Sequence, residues 1–227
     1  MTAPRTARAR AREELTREIK AAAGRQLTEV GAAALSLRAV ARELGMASSA
    51  VYRYFPSRDE LLTALIVDAY DAVGTAAERA EAAVGRAEHA QRWLATATGV
   101  RAWALAHPEE YALIFGSPVP GYRAPTVTID PASRIPRLLL RILQDAASPI
   151  GNDVPVPAPV HDDFDALRAL VAPDLRDPQL ARILMAWTQL IGSISFELFG
   201  HLNNVVRNYE TYFVFQMTTI GRELGLR

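Results

Sequence analysis

The chain has 227 residues, half of them hydrophobic, enough for a sizeable core in one large domain or two smaller ones. It holds no cysteine, which excludes disulfides, thiol nucleophiles and thiolate metal sites and suits a reducing compartment. The net charge is zero but unevenly spread: residues 1–60 carry 11 Lys and Arg against 7 Asp and Glu, and the remainder carries 14 against 18. A basic first quarter on an acidic remainder points to a polyanion as the partner of the N-terminal part.

No stretch approaches the roughly 18 uninterrupted apolar residues of a membrane helix. The opening "MTAPRTARARAREELTREIK" is charged and lacks the apolar core of a signal peptide. The expectation is a cytoplasmic protein with no membrane partner.

Apolar residues recur at helical spacing, and no two alternating segments flank a hairpin turn, so the expected class is all-α. A first helix is predicted over 7–30, with Leu15, Ile19, Ala22, Ala23, Leu27 and Val30 as its apolar stripe. Arg5, Arg8, Arg10 and Arg12 crowd its start, and Gly31 suits its C-terminal stop. Ser36 is a good N-cap for a short second helix whose inner face is Leu37, Val40, Ala41 and Leu44, stopped by Gly45. A third short helix is predicted over 48–54, ahead of Pro56. "SRDE", Ser57 to Glu60, is a capping box that opens a long fourth helix ending near Ala83. Six more helices are predicted over 88–106, 111–115, 135–147, 163–171, 178–204 and 209–224. Between them lie a proline- and glycine-rich loop over 116–133 and a proline-rich stretch without periodicity over 148–164. The expected division is a head over 1–56, a connecting helix over 57–83 and a body over 84–227.

Short helix, glycine turn, short helix is the helix-turn-helix pattern. Small residues, Ala47, Ser48, Ser49 and Ala50, lead the third helix and let it approach base edges closely. Val51 and Phe55, four apart, are assigned to the core. Tyr52 and Tyr54 flank that core, where a phenol packs its ring and donates its hydroxyl to a phosphate. Arg58 sits in the first turn of the fourth helix, where free backbone N–H groups also favour anions.

Residues 10–65, with "SLRAVARELGM", "VYRYF" and "PSRDELL", resemble the DNA-binding domain of the TetR family of transcriptional regulators. The resemblance implies a three-helix head, a linking fourth helix and a helical body that binds a small molecule and dimerises. It implies contacts to palindromic double-stranded operator DNA from Ser36, Arg38, Ser48, Ser49, Ala50, Tyr52, Arg53, Tyr54 and Arg58. Ser36, Tyr52, Tyr54 and Arg58 fall at phosphate-contacting positions, and Ser48, Ser49 and Ala50 where base readers lie. The family usually has Ser or Thr where this chain has Ala47. A side-chain cap is impossible there, and Ser48 is expected to take it over and shift the helix start by one residue.

"RAWALAHPEEYALIFGSPVPGYRAP", Arg101 to Pro125, resembles a TetR subgroup common in actinobacteria whose C-terminal domain is named for a Trp…His-Gly pattern. Here Trp187 and Gly192 fit the pattern and Ile191 replaces the histidine. The family's bodies enclose a pocket between helices, and Trp93, Trp103, Tyr111, Phe115, Leu138, Ile142 and Trp187 are the candidates to line it. The scarcity of buried charge expected in these segments predicts an apolar or aromatic effector. The last two helices are apolar on more than one face. Leu190, Ile194, Leu198, Phe213, Met217 and Ile220 exceed one buried stripe and predict a homodimer interface. Paired recognition helices about 34–36 Å apart require the same symmetry.

Glu197 and His201, four apart, lack a third ligand, and Asp162, Asp163 and Asp165 lack the glycine and distal Glu of a calcium loop. No phosphate-cradling loop and no linked catalytic set is found, so neither enzyme activity nor a cofactor or metal is expected. The predicted function is a ligand-responsive, dimeric, DNA-binding regulator that represses, with activation or ligand-independent regulation as the alternative.

Overall fold

A computed structural model of the chain describes residues 6–146, 155–171 and 175–227. Among the described residues there are eleven α-helices and no strand, as the periodicity predicts. They are α1 (Ala7–Val30), α2 (Leu37–Glu43), α3 (Ser48–Tyr52), α4 (Arg58–Ala82), α5 (His89–Ala106), α6 (Pro108–Phe115), α7 (Ile129–Ala132), α8 (Arg134–Ala146), α9 (Ala158–Val171), α10 (Asp177–Leu198) and α11 (Tyr209–Glu223).

α6 starts three residues earlier than expected, at Pro108, and the larger departures are in α7, α9 and α10. α7 forms inside the loop predicted over 116–133, after a single 3-10 turn at Thr126–Thr128 whose Thr128 Oγ1 donates to the Pro125 carbonyl. α9 starts at Ala158, so the end of the stretch expected to lack periodicity is helical; residues 148–154 of that stretch lie outside the described residues. α10 stops at Leu198, six residues early, where Gly200 (φ 76°) takes a conformation that favours glycine.

The chain forms two compact units, Met1–Ala69 with Glu109–Thr128, and Tyr70–Pro108 with Ile129–Arg227. The boundary falls inside α4, so that helix belongs to both. Glu109–Thr128, expected in the body, groups with the first unit.

In the first unit α1 presents Ile19, Ala22, Ala23 and Leu27 to a core completed by Leu37, Val40 and Ala41 of α2, Val51 of α3, Phe55 and Leu61 and Leu62 of α4. Gly45 (φ 65°) ends α2 in a Schellman motif: Met46 N–H donates to the Ala41 carbonyl at 2.8 Å and Gly45 N–H to that of Arg42 at 3.2 Å. This turn sets α3 at an angle to α2. α4 opens with half of its predicted capping box, Ser57 Oγ accepting from Glu60 N at 3.1 Å. Its 25 residues make it about 37 Å long. Thr63 Oγ1 and Tyr122 Oη, 2.9 Å apart, tie the Pro/Gly-rich loop to its second turn.

In the second unit α5 packs on α8 and α11, and α10 on α8, α9 and α11. Two glycines allow close approaches. A Cβ on Gly221 of α11 would lie 2.9 Å from the Trp93 ring, and one on Gly99 of α5 would lie 2.7 Å from the Ala80 Cβ and 3.2 Å from the Ala76 carbonyl oxygen of α4. A separate cluster, Leu140, Phe164, Leu175, Leu180 and Ile183, joins α8, α9 and α10. No helix among the described residues is long and apolar enough to cross a membrane.

Candidate nucleic-acid interface

α3 is anchored from behind. Val51 is fully buried and Phe55 nearly so, as assigned from their spacing. Each such burial contributes about 1.5–3 kcal/mol. By helical periodicity Ser49 and Arg53 then share the face turned away from Val51, with Tyr52 about a quarter-turn round from Val51 and Ser48, three residues before it, on its own side. Ser49 and Arg53 are exposed, Ser48 and Ala50 half-buried, and Tyr52 is 41 % exposed. Tyr54 is half-buried beneath the Arg12 guanidinium, whose central carbon stands 5.4 Å from the ring centroid. That α1 residue is absent from the sequence-derived contact set.

The start of α3 settles on Ser48, with Ala47 in the N-cap position (φ −65°, ψ 137°) and no side-chain hydrogen bond to the first turn. Ser48 does not take over the cap, contrary to the expected shift. α3 also ends at Tyr52, with Tyr54 N and Phe55 N both donating to the Val51 carbonyl to finish the turn.

Ser36 caps α2 by accepting from Ala39 N at 3.5 Å, and its own N–H donates to the buried Gln26 Oε1 at 3.2 Å. Arg38 is exposed on α2. Arg58 has a different employment from the expected phosphate contact. Its Nη2 donates to the carbonyls of Ala32 (2.8 Å) and Ala33 (3.1 Å) and its Nε to that of Leu35 (3.2 Å). The guanidinium, half-buried, therefore closes the turn between α1 and α2.

The seven residues expected to line an effector pocket divide between the units. Tyr111 and Phe115 belong to the first, their rings 5.1 Å apart. In the second, Trp93, Leu138 and Ile142 are core, and the Trp93 indole N–H donates to the Met217 carbonyl at 2.7 Å. Trp103 stacks on His107 at 5.2 Å, and Trp187 is half-buried on α10.

The expected scarcity of buried charge in the body is overturned. Arg92 of α5 is fully buried, its Nε donating to Glu81 Oε1 (2.6 Å) and its Nη1 to Asp145 Oδ2 (2.8 Å) and the Arg86 carbonyl (3.1 Å). Burial opposes its charge and the two carboxylates more than restore it, so its pKa is held above the ordinary value. Arg101 grips Glu197 with two bonds of 2.7 and 2.6 Å and lies over the Phe213 ring at 5.5 Å. Glu197 is thereby an ion-pair partner, and His201 packs at a tilt against the Phe196 ring instead. Asp165 and Asp177 both pair with Arg168, and Asp177 also with His161; Arg168 first and His161 second hold the Asp177 carboxyl below its ordinary value.

Of the six residues expected at a dimer interface, Leu190, Ile194, Phe213 and Met217 are at most 2 % exposed within their own chain, which makes them core. Leu198 and Ile220 are half-buried. The apolar side chains that α10 and α11 leave outside are others: Met185 (66 % exposed), Phe196 (53 %) and Phe215 (64 %), with Phe199 and Tyr212 beside them. Two depressions open along these helices. One, of about 320 Å³, is lined by Ala181, Arg182, Met185, Ile220 and Glu223, and another, of about 510 Å³, by Ser193, Phe196, Tyr212 and Gln216.

Residues 19–65 match the family model described as "Bacterial regulatory proteins, tetR family", and residues 93–220 match "Tetracyclin repressor-like, C-terminal domain". Over 196 residues the chain is 40 % identical to the HTH-type transcriptional regulator Mb1846 of Mycobacterium bovis and to the HTH-type transcriptional regulator Rv1816 of Mycobacterium tuberculosis. Each alignment spans 84 % of this chain and 83 % of the relative. Among solved structures it resembles the regulatory protein SCO4313 (TM-score 0.77, 33 % identity, 95 % of this chain and 98 % of that one). It shares its fold with a TetR family transcription regulator from Shewanella sp. PV-4 (TM-score 0.59, 17 % identity, 90 % and 96 % covered). With both family models matched across most of its length and relatives 40 % identical over 84 % of it, the chain belongs to the TetR family of DNA-binding transcriptional regulators.

Proposed function

We propose that this regulator is a cytoplasmic homodimeric repressor, released from a palindromic operator when a small apolar or aromatic effector binds its body. The observation that carries the coupling is that α4 is one unbroken helix belonging to both compact units. A shift imposed on its C-terminal half is felt in the unit that bears α3. The effector must then bind the DNA-incompetent arrangement more tightly than the competent one, by the factor through which it weakens operator binding. Two half-sites about 34–36 Å apart cannot both be met once the separation of the recognition helices changes.

An apolar effector fits a body whose enclosed cations, Arg92 and Arg101, are already matched by Glu81, Asp145 and Glu197. Dimerisation is supported by the exposed apolar residues of α10 and α11, more than a solvated helix pair needs. Ser48, Ser49 and Ala50 are proposed as base readers, with Tyr52, Tyr54, Ser36, Arg38 and Arg53 toward phosphates. Deleting the gene in a strain carrying its own promoter fused to a reporter tests the repressor role: expression should rise. Unchanged or falling expression refutes repression.

A further inference from the structure

α1 is longer than the core it serves. Its inward stripe is Ile19, Ala22, Ala23 and Leu27, all buried, with Leu15 half-buried one turn earlier. Continued toward the N-terminus at the same spacing, the stripe next meets Arg12 and then Arg8. At 3.6 residues per turn Arg8 and Arg12 lie within roughly 40° of each other, and Arg12 within about 20° of Ile19. The inward face therefore turns from apolar to cationic where the helix outruns the last core layer. Both arginines are exposed. The acidic residues of the same segment, Glu13, Glu14 and Glu18, fall on the other faces, and Glu14 is held by Arg17 at 2.8 Å. The inward arc of this segment thus carries cations alone, while Arg10 and Arg17 share the outer faces with the glutamates.

The position of this cationic end is fixed by Arg12, which lies over the Tyr54 ring. Tyr54 follows α3 directly, so the overhanging arginines stand beside the surface that carries Ser49, Tyr52 and Arg53. Thr6 caps the overhang by accepting from Ala9 N at 3.2 Å, which keeps the first turn helical although no core lies beneath it.

We propose that the first two turns of α1 form a second DNA contact, in which Arg8 and Arg12 bind backbone phosphates flanking the groove that α3 enters. This rests on DNA binding by the head and extends its footprint beyond the helix-turn-helix. The guanidinium fork matches a phosphate's oxygens bidentately. The two arginines are about 6 Å apart along the helix axis, on the scale of a strand that presents one phosphate per roughly 3.4 Å of duplex axis. Such contacts add affinity and fix the docking angle without reading sequence.

The test is a salt titration by fluorescence anisotropy on two labelled duplexes, one carrying the region upstream of the protein's own gene and one of random sequence and equal length. Arg8→Ala combined with Arg12→Ala should lower the slope of log K against log salt concentration by about 0.9 for each arginine that meets a phosphate. The loss should be equal on both duplexes, with Tm unchanged. Arg8→Ala alone serves as the second variant, because Arg8 has no partner among the described residues and its loss leaves Tyr54 in place; it should show about half the effect. Unchanged slopes in both variants overturn this proposal and leave DNA binding by α3 standing. A slope change confined to the upstream duplex overturns it as well, since phosphates are common to both. Wild-type protein that binds neither duplex overturns the DNA-binding assignment on which it rests.

Discussion

Arg134, the first residue of α8, grips Glu78 of α4 through Nε (3.1 Å) and Nη2 (2.7 Å). The same guanidinium reaches Asp71 Oδ1 and its carbonyl at 2.9 Å and Thr75 Oγ1 at 3.1 Å, so one cation spans two turns of α4. Gly74 lies beneath it: a Cβ there would come within 2.8 Å of Arg134 Nε. The hydrogen bond from Arg134 holds the Glu78 carboxyl below its ordinary pKa.

That depression has a pH signature. The unfolded chain takes up the proton first as pH falls, so the contribution is complete above the ordinary glutamate pKa of about 4.3 and is lost as pH drops through the lower folded value. The pair is partly exposed, so the contribution is roughly a few tenths of a kcal/mol. Glu78→Gln should remove this part of the acid-side loss in urea titrations between about pH 5 and pH 3, and Arg134→Ala should remove it too.

Arg58→Ala should destabilise the head by about 2 kcal/mol, because three carbonyls lose a charged donor. Arg58→Lys should recover little of that, since an ammonium cannot reproduce the fork. Urea unfolding of both variants checks this. Full stability in Arg58→Lys would return Arg58 to the role of a simple point charge.

Ala47→Ser places a hydroxyl at an N-cap that has no side-chain hydrogen bond. The expected gain is about 1 kcal/mol in thermal unfolding. Operator preference should stay the same, because the start of α3 is already at Ser48.

Tyr52→Phe should weaken specific and random duplex binding alike by about fivefold, the worth of one hydrogen bond of about 1 kcal/mol. Ser49→Ala should instead alter the ranking of operator variants in a binding-site selection. Identical behaviour of the two substitutions would dissolve the distinction between phosphate and base contacts.

Phe215→Glu, or Met185→Glu, places a charge on the exposed apolar side of α11 or α10. Each should shift the protein toward monomer in multi-angle light scattering at micromolar concentration, with the helical circular dichroism unchanged. The corresponding charge at Met217, which is fully buried, should unfold the protein instead.

The helices were legible where sequence carries local physics. α1 is bounded as predicted because Gly31 stops its stripe, and Ser36 and Ser57 open helices through hydrogen bonds that depend on neighbours three residues away. The short α7 was not legible, because one turn between prolines has no periodicity to detect. The site divides in the same way. Val51 and Phe55 could be assigned to the core by spacing. The partners of Arg58, at Ala32 to Leu35, are more than twenty residues distant and backbone in nature, so nothing in side-chain type announced them. The buried Arg92 escaped because its two carboxylates, Glu81 and Asp145, come from different helices. On α10 and α11 apolar composition alone could not separate Met217 from Met185, which the fold turns to opposite sides.

Gly99 carries a mechanical implication. With the Ala80 methyl and the Ala76 carbonyl where its own side chain would stand, α5 and the end of α4 touch nearly backbone to backbone. A contact without long side chains has no slack to absorb displacement by rotamer changes. The last two turns of α4 are in effect geared to α5, and a tilt of one is passed to the other undiminished. Any residue larger than glycine at position 99 would force α5 and the end of α4 apart.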